Sequence, residues 1–267
     1  MKGSFSVAAE IATFDILQQM AAILGGTKTT FWPFLEGLDQ NVRSYYEGVR
    51  DLTSKSGGAT NILETAFEPY RHPGGVHSYL FDSAASSHLG GSDDDAYSFG
   101  DGTIDSPFSV GAWILPRLVG PRTIIAKYDP GVGVAREWDF RFTAASLFGL
   151  ELYDESADAT EIAGSTTALT LNRWASVIAA YDGGETSPVI NLYFNGVLDN
   201  DGSSAETGAY VAMENTATPP VIGARGLSTL PVQLFNGRIA LPFICGKQIS
   251  AAEALSLYQL GRQLVGV

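Results

Sequence analysis

Along most of the chain apolar and polar residues alternate with a period of two, and each run ends at a cluster of Gly, Pro, Asp or Asn. In SPFSVGAWILP, Phe108, Val110, Ala112 and Ile114 share one face of an extended segment, and Ser109, Gly111, Trp113 and Leu115 share the other. In EWDFRFT, Trp138, Phe140 and Phe142 form a dry face opposite a wet one of Asp139 and Arg141. RWASVIAAYD and PVINLYFNG repeat the pattern, with Ile190, Leu192 and Phe194 pointing one way. About a dozen such runs predict two packed antiparallel sheets.

Both ends of the chain also carry helical spacing. Val7, Ile11, Phe14, Leu17, Ala21 and Leu24 recur as one stripe, which Ile16, Met20 and Ile23 widen around most of the circumference before Gly25-Gly26 ends it. Such a helix packs on its own domain or docks into a neighbouring subunit, and the pattern leaves both open. Near the C-terminus, Phe235, Gly237, Ile239, Leu241, Phe243 and Cys245 predict a closing strand with one face on a core. Ser250 and Glu253 then form a capping box for a helix of about three turns. Its stripe is Leu255, Leu257, Tyr258 and Leu260, and Gly261 is placed to stop it. Residues 35–76 hold breaker-rich SKSGGATN and YRHPGGVH and read as an extended connection laid over one sheet.

Composition narrows the functional classes. A chain of 267 residues, 45% hydrophobic, can bury a substantial core, so disorder is disfavoured. Its 16 Lys plus Arg against 29 Asp plus Glu give a net charge of −13, which repels phosphate backbones and anionic headgroups, so neither nucleic acid nor membrane is expected as a partner. The single cysteine, Cys245, forms no intrachain disulfide and reads as a buried thiol. Glu10, Asp15, Gln18 and Gln19 interrupt the apolar N-terminal stretch, which is therefore not expected to act as a signal peptide.

Taken in order, FWPFLEG, HSYLFDS, SPFSVGAWILP, RTIIAKYD, LNRWASVIAAYDG, INLYFNGVL, VIGAR and the closing FNGRI…ISAAEALSLYQLG resemble the laminin G-like members of the concanavalin A-like lectin/glucanase superfamily, over roughly residues 31–262. The resemblance implies an all-β, two-sheet antiparallel jelly-roll sandwich with an N-terminal helix and a short C-terminal helix. It divides the chain into a helical assembly segment, 1–27, and a laminin G-like jelly-roll domain, 28–267. Domains of this kind are frequent in bacteriophage virion and bacterial surface proteins. That context implies a non-enzymatic structural or adhesion module, most simply a virion protein made in the host cytoplasm. Its partners would be other virion subunits or its own copies, joined through Val7, Ile11, Phe14, Leu17 and Leu24, and cell-surface polysaccharide. Deleting residues 1–24 is then expected to leave a folded sandwich of nearly unchanged thermal midpoint. The alternative is a secreted or surface lectin or glucanase-like hydrolase, because one sandwich can host several activities.

The chemistry-bearing residues are few. A retaining glucanase needs two carboxyl groups about 5–5.5 Å apart, and the nearest approach to an alternating acidic motif is Glu151-Leu152-Tyr153-Asp154-Glu155, with Tyr153 in the middle position. His72, His77 and His88 have no zinc spacing, and His72 and His88 read as surface loop residues. Calcium, which prefers clustered oxygen donors, is the one cofactor the acidic loops point to, with Asp93, Asp95, Asp199 and Asp201 as ligands to test. For stacking on sugars, Trp32, Tyr45, Tyr46 and Tyr128 lie near loops, whereas Trp113, Trp138 and Trp174 lie within alternating strands and read as core.

Overall fold

The computed structural model describes residues 7–25, 28–35, 41–42, 52–56, 69–129, 135–143, 146–184, 189–226 and 231–267, with the backbone alone described at 7–10, 41–42, 52–56 and 201–206. A helix, α1 (Val7–Leu24), precedes two antiparallel sheets. The smaller runs, edge to edge, β14 (Val197–Leu198), β13 (Ile190–Phe194), β12 (Ala175–Tyr181), β7 (Phe108–Pro116), β17 (Gly237–Cys245), β5 (His77–Phe81) and β4 (Pro69–Arg71), and β1 (Thr30–Phe31) pairs with β17 off this path. The larger runs β15 (Asn200–Thr207), β11 (Ala159–Ser165), β10 (Phe148–Asp154), β9 (Ala135–Phe142), β8 (Arg122–Asp129), β16 (Val221–Ile222), β6 (Ser87–Gly90), β3 (Leu52–Ser56) and β2 (Asn41–Val42). A second helix, α2 (Ala251–Val265), ends the chain. The two-sheet sandwich with helices at both ends is the fold the alternation and the motif order imply.

Two hydrophobic cores flank the smaller sheet. Between the sheets lie Trp138, Phe140 and Phe142 with Phe108, Val110, Ile114, Val177 and Tyr181. The Trp138 indole N–H reaches the Tyr97 carbonyl at 3.0 Å, so even this buried donor is satisfied. On the outer face, Trp113, Ile178, Ala180 and Tyr193 pack beneath α1 and α2. Strand β12 is therefore buried along its whole length, which is why ASVIAAY is apolar at nearly every position rather than at alternate ones.

The closing strand serves both cores. Against β7, Ala240 pairs with Trp113 but Phe243 pairs with Gly111, so one extra residue is inserted, and Leu241 takes a φ of +50°. The bulge reverses the facing. Phe235 and Ile239 point to the inner core, Leu241, Phe243 and Cys245 to the outer one, and Ile244 returns inward. The expectation that Phe235 to Cys245 share one face is corrected here, because strict alternation holds only while the ladder stays in register. Gly111 leaves room for the displaced ring: a Cβ there would stand 2.7 Å from the Phe243 ring.

The terminal helices and the buried side chains show further departures. The predicted capping box of Ser250 and Glu253 is present, but α2 runs through Gly261 to Val265 and ends at Gly266, whose φ is +78°. Gly261 is required by packing, since a Cβ there would lie 2.2 Å from the Trp113 indole nitrogen. In α1, Leu17, Met20 and Leu24 are buried in the outer core, whereas Ile11 and Phe14 remain 56% and 54% exposed. Half the stripe thus packs on its own domain, and removing residues 1–24 would uncover that core rather than leave the midpoint unchanged. His72 and His88 are both buried, contrary to the expectation of surface loops. The Nδ1–H of His72 donates to the Val265 carbonyl and its Nε2 accepts from Ser78, each at 2.9 Å, so the ring fastens the end of α2 to β5. Burial holds its pKa below the usual histidine value. Cys245 is fully buried as expected, while Trp174 is only partly buried, at the border of the outer core.

Candidate functional site

The outward face of the larger sheet collects the charged residues that the strand period places opposite the core. On β9, Phe140 points inward and Asp139 and Arg141 outward; on β10, Leu150 and Leu152 point inward and Glu151 and Tyr153 outward. The register sets Asp139 beside Glu151 on one side and Ala126 of β8 on the other. Arg225, just past β16, closes the group. Its Nε donates to Asp139 Oδ2, and its Nη2 donates to Glu151 at 3.0 Å and to the Tyr153 hydroxyl at 2.8 Å. Its guanidinium lies 4.3 Å from the centre of the Tyr128 ring. Arg141 adds a second clasp on Glu151 through Nε, at 2.8 Å, and Nη2, at 2.6 Å.

These four charges cancel, and their burial differs in a useful way. Asp139 is sealed, and burial lifts its carboxyl above the usual range against the pull of Arg225 and then Arg141. Burial likewise raises the phenols of Tyr128 and Tyr153, so both stay protonated donors. Glu151 and Arg141 keep 14% and 17% of their side chains in solvent. Beside them Arg136 spans Glu155 and Asp158, each at 2.6 Å, and lies 5.3 Å from the centre of the Tyr153 ring. The surface therefore offers fixed N–H donors and carboxylate acceptors side by side, rimmed by aromatic groups. Both central carboxylates are held by guanidinium groups, and Asp139 is sealed from solvent.

Of the residues nominated from sequence, Tyr128, Glu151, Tyr153 and Glu155 come together here. Arg225, Asp139 and Arg141 were missed as a site, although opposite charges on the outward faces of two neighbouring strands were readable. Trp32 is corrected: its ring is fully buried, 6.3 Å from that of Tyr97, and offers no face to a sugar. Tyr128 is also largely buried, with Arg225 on its ring. Tyr45 and Tyr46 lie outside the described residues.

The acidic loops are committed to hydrogen bonds. Asp93 pairs with the buried Lys127 amine at 3.0 Å, and that amine also meets Glu137 at 2.8 Å and the carbonyls of Thr216 and Thr218. Burial raises the Glu137 carboxyl, with Lys127 opposing. Asp95 accepts from the Asn215 amide at 2.9 Å, and Asp199 accepts from Thr166 and Thr167. The Asp201 side chain lies outside the described ones, as does that of Val7. Among the described residues no three potential ligands come together as a metal site, and the ammonium beside Asp93 opposes a dication there.

Comparison with known proteins agrees with this architecture. The model of the Laminin_G_3 family, described as the concanavalin A-like lectin/glucanases superfamily, matches residues 90–254. The binding domain of Paraclostridial Mosquitocidal Protein 1 is similar over 88% of this chain and 52% of that one, with a TM-score of 0.61 at 12% identity. Domain 4 of AbnA, a GH43 extracellular arabinanase from Geobacillus stearothermophilus solved in complex with arabinotriose, is similar over 86% of this chain and 97% of that one, with a TM-score of 0.56 at 13% identity. A structure of botulinum neurotoxin type C, whose cell entry depends upon interaction with two ganglioside molecules, is similar over 90% of this chain and 52% of that one, with a TM-score of 0.56 at 12% identity. This chain thus spans about half the length of the two toxin chains, and at these identities the likeness is one of fold. No curated protein matches closely enough to count as a relative.

Proposed function

This chain belongs to the concanavalin A-like lectin/glucanase superfamily, and we propose that it is a non-enzymatic adhesion module that binds surface glycans on the outward face of its larger sheet. The observation that carries this reading is the neutral cluster of Arg225, Asp139, Glu151 and Arg141, with partly exposed donors and acceptors at fixed spacing beside Tyr128 and Tyr153. Sugar hydroxyls need donors and acceptors in alternation, and a held array binds them with little ordering cost. Hydrolysis is the weaker reading, because a glycosidase keeps one carboxyl free to give up a proton, whereas Glu151 is clasped by two arginines.

A glycan array probed with the labelled full chain, followed by calorimetry on the strongest hit, tests this. Glu151→Gln and Arg141→Ala each remove charge-assisted hydrogen bonds of about 1.5–3 kcal/mol, so affinity falls roughly 10- to 100-fold in a protein that still folds. An array without hits, or a hit whose affinity survives both substitutions, rejects the site.

The setting we propose is a bacteriophage virion, with the bacterial cell surface or a secreted protein as the alternative, because modules with this motif order are frequent in both. In either setting Ile11 and Phe14, the exposed part of the α1 stripe, are the assembly contacts. Mass spectrometry of purified virions and of secreted fractions tests the setting, and size-exclusion chromatography of an Ile11→Ser/Phe14→Ser variant tests the contacts. An elution volume equal to that of the unaltered chain rules the contacts out.

A further inference from the structure

The two ends of the sandwich differ in chemistry. Because β7 starts at Phe108 and runs antiparallel to β12 and β17, the loops at 91–107, 154–158 and 208–220 cluster at one end, and those at 117–121 and 166–174 at the other. The first end holds Asp93, Asp95, Asp101, Asp154, Glu155 and Glu214. The second carries Arg117, Arg122 and Arg173 around Leu118, Val119 and Leu171, which are 43%, 51% and 38% exposed. The Asn172 N–H donates to the Pro116 carbonyl at 2.7 Å and holds the two turns together. At their tip Gly120, with φ of +96°, would have nothing within 4 Å of an added Cβ, so this turn projects into solvent.

Arg122 spends its donors on the carbonyls of Val119, at 3.3 Å, and Leu234, at 2.6 Å. Among the described residues none of the three arginines is within ion-pair reach of a carboxylate. Asp82, which accepts from the Ala84 N–H, and Asp199, which accepts from Thr166 and Thr167, also lie towards this end, so among these groups three positive charges face two negative ones. Basic side chains around projecting aliphatic ones match a surface of phosphate groups over hydrocarbon.

We propose that this end docks on an anionic lipid bilayer, with Leu118, Val119 and Leu171 entering the boundary below the headgroups and Arg117 and Arg173 meeting lipid phosphates. The net charge of −13 argues for repulsion only if it acts as a whole. The 8- and 9-residue strands β8 and β7 hold the acidic end roughly 27–30 Å away. That is more than three Debye lengths, about 8 Å each at physiological salt, so the local charge decides.

The test is co-sedimentation of the full chain with phosphatidylcholine vesicles, alone or mixed with phosphatidylglycerol. The expected result is pelleting with the mixed vesicles only, weakening as salt rises. Arg117→Ala and Arg173→Ala should each lower the partition about fivefold. Leu118→Asp/Val119→Asp should abolish it while the thermal midpoint stays unchanged, since both positions are exposed. Glu151→Gln, on the sheet face, should pellet like the unaltered chain, which separates this surface from the glycan site. No pelleting, equal pelleting on neutral vesicles, or pelleting of the Leu118→Asp/Val119→Asp variant that soluble heparin displaces would each overturn the proposal, the last by revealing a site for polyanions.

Discussion

Replacing Arg225 by Met removes the guanidinium and keeps much of the side-chain length. Asp139 is then left fully buried, with its Oδ1 already lacking a hydrogen-bond partner and Arg141 standing 3.6 Å away as the nearest cation. Breaking a buried ion pair from one side costs about 3–5 kcal/mol, a large share of the roughly 5–15 kcal/mol that holds a domain folded. At about 2–4 °C per kcal/mol the midpoint falls by roughly 6–20 °C. The loss must depend on pH. Burial already raises the folded-state carboxyl of Asp139, and removing Arg225, the larger of the two opposing influences, raises it further. A carboxyl with a raised folded pKa favours the fold while protonated and loses that advantage as pH rises through the folded value. The deficit of the variant should therefore be small near pH 4, about the unfolded value for Asp, and larger at pH 7. Urea titration of both proteins at these two pH values, followed by tryptophan fluorescence, measures it. A second substitution, Asp139→Leu, should restore most of the stability, because an apolar pair replaces an ionic one. A deficit below about 1 kcal/mol, or one of equal size at both pH values, would refute the view that Arg225 exists to neutralise Asp139.

Gly261→Ala should destabilise by about 1–3 kcal/mol in a thermal melt, since overpacking against Trp113 outweighs the roughly 0.5–1 kcal/mol that Ala normally adds to a helix. Leu24→Ala, which empties a fully buried position of the outer core, should cost about 2–5 kcal/mol by urea titration, whereas the exposed Ile11→Ala should cost almost nothing. The Cys245 thiol, buried and pushed up to about 12 by that burial, should react with a thiol reagent at neutral pH only as fast as the protein unfolds; rapid labelling of the native protein would contradict its burial.

What could be read from sequence was whatever neighbouring residues decide between themselves. The facing of Trp138 against Asp139 follows from one-residue alternation, and the capping box at Ser250 from a spacing of three. What could not be read depended on distant partners. Asp139 looks like a solvated strand residue until Arg225, 86 positions away, is folded over it. Gly261 looks like a helix stop until Trp113 arrives beneath it. Trp32 sits among breakers and reads as a loop aromatic, yet its backbone N–H donates to the Pro242 carbonyl at 3.0 Å and its ring is fully buried. The aspartates nominated for calcium show the same limit: acidic loops are equally suited to binding a metal and to capping turns, and only geometry separates the two.

Strand β17 lies between β7 and β5 in the smaller sheet and supplies side chains to both cores. Its principal partner, β7, leaves the ribosome about 120 residues earlier, and at about 5–20 residues per second it waits roughly 6–24 s for that partner. Throughout this interval Val110, Ala112 and Ile114 on one face, and Trp113 on the other, lack their central neighbour, and one edge of β7 is open to pairing with any passing chain. The nascent protein is thus at its most adhesive before it is finished, and its yield in a cell is governed by how well that edge is kept apart from other copies until Gly237–Cys245 is made.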